Sequence, residues 1–555
     1  VPMKYRFRLL ETQASIGFGA YVPEDDMSLG GVLEELHRSP MDEFLRGAAI
    51  RAVQDAPDEV LRSCAQSTDL IERSLVREAF AGDVEKLKEL GLGEAPDAEE
   101  CAASPLVDMR NAARENQALH SQWAELLQAN IMRHEPLPEA AELPASPYSP
   151  EECAEAGKDI VALSDLHFVP KKKKVPKLPT CDALTWEAQG KLEKAGVELS
   201  QQSRHTESLA PNGLVRQWRR KVSVKNGALE YTLEGMHTSF GRGMDFATAQ
   251  VALTMEIVER YSSWVSVDGL ELPEQRSSRA LVHGSYKELR AAGHEILDPS
   301  RLPLNVTYSN EALYWLPCDM AGKNETCLVP AQCLFLFCNL DEPALFAGLG
   351  STGLAAGTVM EQARLSALME IIERDAETVT PVDPAAYFRI RSTKPEVQEL
   401  LDQYARKGYD VLFMECTSEL GIPCYHSFVT GPQGQLMKGA SASLSGPKAA
   451  LSALLEVPYP FPFGPESRKG PAEAPYKVLE DLPDFSTGNM VEDLRMVEQL
   501  LIESGRRPLY ANLTHKELGY PVVRAVIPGL ELLPDYDPFT RISPRVISRI
   551  LSKKS

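Results

Sequence analysis

Apolar positions recur every three or four residues over MDEFLRGAAIRAVQ (41–54), DLIERSLVREAF (69–80) and SPLVDMRNAARENQALHSQWAELLQANIMRH (104–134). That spacing gathers them on one face of an α-helix, so residues 1–134 are expected to form a helical domain. Ser104 and Asp83 are candidate helix caps, and Gly91 and Gly93 candidate helix ends. Between 135 and 176 the periodicity disappears. EPLPEAAELPASPYSPEE is rich in proline, and FVPKKKKVPKLPT sets four lysines between prolines. Proline fixes φ and lacks an amide donor, so this stretch reads as a linker.

From 177 to 555 the pattern switches between helical and strand-like periods. TWEAQGKLEKAGVELS (185–200) predicts an amphipathic helix, and ALEYTLEGMHTSFGRGMD (228–245) a strand running into a Gly-rich turn. Long helices are predicted at 246–264 and 360–377. ALYWLPCDM, TCLVPAQCLFLFCNL and IPCYHSFVT read as strands. KPEVQELLDQYARKGYDVLFMEC reads as a helix followed by a strand. LMKGASASLS leads through a turn at Gly439 into the helix GPKAALSALLEV, and YPVVRAVIPGLEL reads as a buried strand and a turn. Helices and strands mixed along one region predict an α+β (mixed α/β) fold.

The two long helices share a pattern. AQVALTMEIVER (249–260) and ARLSALMEIIER (363–374) both end in Met-Glu-x-x-Glu-Arg, 114 residues apart. At 3.6 residues per turn, Glu256, Glu259 and Arg260 share one helix face, as do Glu370, Glu373 and Arg374. One such motif is ordinary and serves as a helix ion pair. Two, each after a Gly-containing turn (FGRGMD and GLAAGT), suggest an internal duplication whose acidic faces converge. Four carboxylates together repel unless cations neutralise them, which points to Mg²⁺ and a polyphosphate. GLGSTG (348–353) matches G-x-G-x-x-G in letters, but LDEPALFA separates it from the preceding strand, so it is not a dinucleotide fingerprint. No G-x-x-x-x-G-K-[ST] phosphate loop occurs.

Composition narrows the partners. The net charge of −21 excludes a general nucleic-acid binder. Residues 1–150 carry 14 basic and 27 acidic side chains, more than half of that excess. No run approaches the roughly 18 apolar residues that cross a bilayer, and VPMKYRFRLL lacks the apolar core of a secretory signal. Val1-Pro2 ahead of Met3 reads as an added start. The ten cysteines contain no C-x-x-C pair, which fits reduced thiols in a cytoplasmic protein. Cys333 and Cys338 are expected on a buried strand. His237 and His426 are expected to be structural.

STGLAAGTVMEQARLSALMEIIERDA resembles the motif of YcaO-domain proteins, close to SNGLAAGNT-x-x-EA with a later E-x-x-ER. FGRGMDFATAQVALTMEIVERYSS resembles that family's first motif, YPVVRAVIPGLE its late strand with Arg before V-x-P-G, and ALSALLEV its late helix. The resemblance covers roughly residues 175–540, in the family's order. It implies a YcaO-like domain with internal duplication over 177–555, preceded by the helical domain. It implies ATP and Mg²⁺ as ligands, with the metal on Glu256, Glu259, Glu370 and Glu373. It implies nucleotide contacts from Glu259, Glu373, Arg374, Arg524, Lys177 and the positions of Thr358 and Gln362, with Arg260 a motif arginine of open role. No catalytic acid or base is assigned. The implied activity is ATP-dependent phosphorylation of a peptide backbone amide, leading to a thioamide, an azoline or support of protein methylthiolation. Its partners would be a peptide or protein substrate, a sulfur-transfer protein of the TfuA-like kind, and a second copy of the chain in a homodimer.

Several positions depart from the family pattern. Thr358 replaces the Asn of GNT, Gln362 a Glu, Thr352 an Asn, Ala252 a Ser and Ser452 an Arg. The late helix is expected to stop at Glu456, where PYPFPFGP begins, and the Pro-rich tail of azoline-forming members is missing from SRILSKKS. These changes leave open a catalytically degenerate scaffold that binds a peptide or a partner. The N-terminal helical region reads, with either activity, as a docking module.

Overall fold

MKYRFRLL alternates side chains in the period of a strand, and it forms β1 (Met3–Leu10). β1 lies between β2 (Phe18–Pro23), antiparallel, and the later β5, parallel. The computed structural model describes residues 2–10, 18–81, 83–93, 96–112, 114–171, 174–206, 208–336, 339–346, 350–432, 434, 436–457, 473–537 and 540–554. β3 (Ser203–Arg204), β4 (Asn212–Asn226), β5 (Leu229–Gly243) and β6 (Val267–Asp268) complete the first sheet, ordered β2-β1-β5-β4-β3 with β6 on β4. The β4–β5 hairpin is in register from Asn226–Leu229 to Asn212–Gly243.

The N-terminal region is otherwise helical, as its periodicity predicts. α1 (Leu29–Arg38), α2 (Glu43–Gln54), α3 (Asp58–Ala65) and α4 (Leu70–Ala79) are followed by the short α5 (Val84–Glu89), α6 (Ala98–Ala102) and α7 (Val107–Ala112). Ser28, Asp42, Asp69, Asp83 and Asp97 cap helices by accepting backbone N–H bonds. The helix expected over 104–134 is divided. α8 (Gln117–Leu127) begins after Asn116 in the left-handed region and ends in a π-helical turn over Gln128–Met132. Leu36, Leu45, Leu75 and Val76 pack in the same core as Tyr231, Leu253 and Val258. Trp123, Leu127 and Ile131 pack against Val546, Ile547 and Ile550 near the chain's other end. Residues 135–176 carry α9 (Pro150–Glu155) and short 3₁₀ turns; Leu143 and Tyr148 lie against that second core.

α10 (Cys181–Lys194) leads into the first sheet, and α11 (Phe246–Ser263) packs back on β5. β7 (Val282–Gly284) and α12 (Tyr286–Ala291) precede β8 (Leu313–Met320) and β9 (Thr326–Pro330). The strand expected through AQCLFLFC does not continue: Pro330 has no amide donor, and Ala331–Cys333 turns as a 3₁₀ helix. Cys338 lies outside the described residues. β10 (Leu354–Ala356) runs into α13 (Met360–Val379). Then follow β11 (Arg389–Arg391), α14 (Pro395–Arg406), β12 (Asp410–Glu415), β13 (Cys424–Thr430), β14 (Leu436–Ala442), α15 (Gly446–Glu456) and β15 (Tyr476–Val478). α16 (Met490–Glu503), β16 (Leu509–Asn512), β17 (Val522–Val526) and α17 (Pro544–Lys554) finish the chain.

β10-β17-β16-β8-β7 form a second sheet, and β12-β13-β14 an antiparallel meander. The expected turn at Gly439 is in fact the middle of β14, where Gly439 pairs with Ser427. A Cβ there would sit 2.2 Å from the Ala453 carbonyl oxygen, so glycine lets α15 lie directly on the strand. The architecture is mixed α+β with a helical N-terminal region. Among the described residues no helix is long and apolar enough to cross a membrane.

Candidate functional site

α11 and α13 flank β10 and β17 from two sides, and this brings their Glu-Arg ends together. The seating of α11 depends on FGRGMD. A Cβ on Gly241 would lie 2.1 Å from the Ala249 carbonyl oxygen and 2.5 Å from the Leu253 amide, so only glycine admits the helix this close to β5. Asp245 then caps α11 by accepting the Thr248 N–H at 2.8 Å. α13 starts differently. Gln362 Oε1 accepts both the Thr358 N–H and the Thr358 hydroxyl, each at 2.9 Å, and so closes the first turn from inside. The Gly353 N–H is taken by Glu370 Oε2 at 3.1 Å.

The four motif glutamates feel one another. Burial pushes Glu259 up to about 8; Arg260 opposes this, while Glu370 and Glu256 add to it. Burial also raises Glu256 and Glu370, against the pull of Arg260 and Arg374 respectively. Glu373 is raised by burial and then by Glu456. Glu456 itself, partly open to solvent at the end of α15, is raised by the protein packed around it and by Glu370 and Glu377. Arg260 Nη1 lies 3.1 Å from Glu259 Oε1, and Arg374 Nη1 lies 3.3 Å from Glu373 Oε1 and 2.6 Å from Glu377 Oε2. Burial pulls the Arg374 guanidinium down, but Glu373, Glu377 and Glu370 outweigh it and hold the charge. Arg524 donates to the Gly350 carbonyl at 2.9 Å and faces Glu370; burial lowers it to about 10.

Counted with Glu377 and Glu456, six glutamates stand against five basic side chains, Arg242, Arg260, Arg374, Arg524 and Lys438. Among the described residues no three His, Cys, Asp or Glu side chains stand close enough to hold one ion by themselves. A surplus of carboxylates suits Mg²⁺ with a polyphosphate, because Mg²⁺ takes one or two carboxylates and fills its octahedron with phosphate oxygens and water. Glu256, Glu259, Glu370 and Glu373 lie within electrostatic reach of one another, with Arg374 and Arg524 beside them.

Sequence reasoning had not placed four further members. Glu377 lies one helical turn beyond Glu373, and that spacing was the available signal. Glu456, Arg242 and Lys438 come from the late helix, the first Gly-rich turn and β14; folding alone joins them. Arg242 donates to the Glu456 carbonyl at 2.8 Å, and Lys438 Nζ lies 3.4 Å from Glu377 Oε1. Burial would raise Glu377, but Lys438, His426 and Arg374 bring it below the ordinary range. Behind this group the Cys416 and Cys424 sulfurs stand 3.2 Å apart, both buried, next to His426.

Lys177 is exposed ahead of α10, whereas the cations that act on the four glutamates are Arg242, Arg260, Arg374 and Arg524. His237 is structural as expected: Tyr21 Oη lies 3.3 Å from Nε2, Trp218 and Trp264 pack on the ring, and burial lowers it to about 4. His426 is buried on β13. α15 ends at Glu456, as the proline-rich sequence requires.

A family model described as YcaO cyclodehydratase, ATP- and Mg²⁺-binding, matches residues 240–458. An uncharacterized protein of Methanothermobacter thermautotrophicus is 26% identical over 344 residues, covering 56% of this chain and 85% of its own length. Among solved structures, a heterocyclase in complex with substrate and cofactor is similar at a TM-score of 0.51 and 19% identity. That likeness covers 66% of this chain but only 55% of the heterocyclase, so the chain spans about half of that protein. YcaO from Methanopyrus kandleri, bound with AMPPCP and Mg²⁺, is similar at a TM-score of 0.46 and 19% identity, covering 64% of this chain and 92% of its own.

Proposed function

Since the match over residues 240–458 makes this chain a member of the YcaO cyclodehydratase family, whose domain binds ATP and Mg²⁺, we propose that it uses them to modify a backbone amide of a peptide or protein. The supporting observation is the excess of mutually repelling glutamates at the joined ends of α11 and α13. Glu256, Glu259, Glu370 and Glu373 would hold Mg²⁺. Arg374 and Arg524 would face the phosphates, and Lys177 would need to swing in from the surface to join them. Thr358 and Gln362, already bonded to each other, would line the nucleotide from the start of α13.

When bound, ATP supplies the phosphoryl group that turns an amide oxygen into a leaving group. The chain's part is electrostatic. The arginines would offset charge on the phosphates, and the half-buried position of Glu259 would keep water from screening a metal held there. The product would be a thioamide, an azoline or an intermediate of protein methylthiolation, with a peptide or protein as substrate and a TfuA-like sulfur-transfer protein as one partner. We place the reaction in the cytoplasm, in a homodimer, with the ATP-binding unit in residues 177–555 and the two Met-Glu-x-x-Glu-Arg helices as copies of one ancestral unit. The helical residues 1–134 and the strap at 135–176 would serve docking.

A scaffold without turnover is the second reading. It is favoured by Gln362, which carries no charge and is spent on Thr358, and by Ser452 in place of an arginine. Calorimetry with Mg²⁺ and ATP separates the two, together with ADP release on adding candidate peptides. The proposal expects binding that weakens roughly tenfold or more in Glu370→Gln, the scale of one charge-assisted contact. No binding by the wild-type chain at millimolar ATP would sink it; binding without any ADP formation would favour the scaffold.

A further inference from the structure

A crevice of about 710 Å³, lined by none of the glutamates described above, opens where Pro96, Asp97, Cys101, Arg110, Arg114 and Glu115 meet the 307–311 segment and Arg541. Three arginines line it: Arg110, Arg114 and Arg541. Their bonds go almost wholly to backbone carbonyls. Arg114 uses Nη1 alone, donating to the Leu304 and Asn305 carbonyls at 3.1 and 3.0 Å. Arg541 also uses only Nη1, donating to the Glu115 carbonyl at 3.0 Å and Gln117 Oε1 at 3.1 Å. Arg110 bonds the carbonyls of Leu106, Pro105 and Ala344, while its Nη1 is buried without a hydrogen-bond partner. Among the described residues none of the three forms an ion pair with a carboxylate. A guanidinium has five donors in a planar fork, so among the described residues Nε and Nη2 of both Arg114 and Arg541 remain unused.

Two of the three acids of the crevice are engaged elsewhere. Asp97 caps α6 and takes Arg73, Glu311 accepts the Ser309 N–H at 2.7 Å, and Glu115 is exposed. Glu311 and the half-buried Glu43 reach Arg110 only through space. Burial, and then Arg541, pushes Arg114 down to about 10, which is the behaviour of a cation without a counter-ion. Thr307 and Ser309 line the same crevice.

We propose that this crevice is an oxyanion site, in which Arg114 and Arg541 grip a phosphate or carboxylate through their free fork edges and Arg110 completes the charge. The anion arrives either as a small free ion or as part of an acidic peptide; the recognising chemistry is the same. The site stands apart from the glutamate cluster and does not depend on what that cluster binds.

The test uses the full chain in low-salt Hepes, titrated by calorimetry with inorganic phosphate and, separately, with a short aspartate-rich peptide. Wild type should bind at least one probe. Arg541→Gln should weaken that binding about tenfold or more, and Arg541→Lys, which keeps charge but loses the fork, should fall between. Mg-ATP titrations should match wild type in both variants, which keeps this result distinct from the fate of the ATP reading. Phosphate binding without peptide binding identifies a free ion; tighter peptide binding identifies a peptide-borne carboxylate. If Arg541→Gln fails to fold, Arg114→Gln carries the same test. The proposal is overturned if neither probe binds wild type, or if the folded Gln variants bind as tightly as wild type.

Discussion

Gly241→Ala probes how α11 is held over the sheet. The new methyl would lie 2.1 Å from the Ala249 carbonyl oxygen, 2.5 Å from the Leu253 amide and 2.6 Å from the Leu253 Cβ, where ordinary contact begins at 3.4 Å. Two of these three neighbours are helix backbone, so no side chain can turn aside. Either α11 retreats by about 1 Å or β5 bows outward, and overpacking of this kind costs about 1–3 kcal/mol. With three contacts at once, we expect the upper end of that range. The same displacement moves Glu256 and Glu259, which sit two and three turns further along the helix. A carboxylate shifted off its ligand loses a charge-assisted contact, about 1.5–3 kcal/mol or roughly tenfold or more in affinity. Mg-ATP affinity by calorimetry should therefore drop far more than the loss of stability alone requires, since the folded fraction stays high. Gly190→Ala is the matched control. It lies inside α10 with nothing within 4 Å of the new methyl, and should stabilise by about 0.5–1 kcal/mol. If Gly241→Ala melts and binds Mg-ATP like the parent chain, the close approach does not position α11.

Arg545→Met should destabilise by about 3–5 kcal/mol, read by denaturant unfolding, because it leaves the fully buried Asp375 of α13 without its ion-pair partner. Glu419 titrates below the ordinary carboxylate range: burial would raise it, but Arg545 and then Arg549 outweigh that. Its contribution is therefore present above about pH 4.5 and lost as pH falls through the depressed value; a melting-temperature series from pH 7 to pH 3 should show an acid loss that Glu419→Gln reduces, and an unchanged profile would refute the pairing. Oxidised glutathione should join Cys416 and Cys424 by thiol–disulfide exchange, releasing two reduced glutathiones, once the strand pair opens; a thiol count on the denatured protein should fall by two relative to an untreated sample, and Cys424→Ser should abolish the effect.

Much of the site was legible because its signal is local. The two Met-Glu-x-x-Glu-Arg runs announce helices through their period, and the helices fall at Phe246–Ser263 and Met360–Val379, within a few residues of expectation. Where reasoning failed, a non-local partner decided. LMKGASASLS suggested a turn because Gly and Ser are turn formers, yet α15 lying on Gly439 makes glycine a requirement of the strand. AQCLFLFC suggested a buried strand because it is apolar, yet the proline before it ends the ladder. Gln362 read as a missing charge, and its side chain turned out to close a helix start. β1 was overlooked although Tyr5, Phe7 and Leu9 alternate with basic residues, because helical periods dominate the following hundred residues. Glu456 and Lys438 joined the cluster only through long-range packing, which no spacing reveals.

The parallel pairing of Met3–Arg6 with Tyr231–Glu234 has a mechanical consequence. β5 carries β1 along one part of its length and seats α11 at its far end. A load applied to the first strand is therefore a shear along the hydrogen bonds of β5, delivered to the ribbon from which α11 hangs. A ligand that grips β1 stiffens that ribbon, and one that peels it away removes a support of the helix bearing Glu256 and Glu259, with no contact to either glutamate.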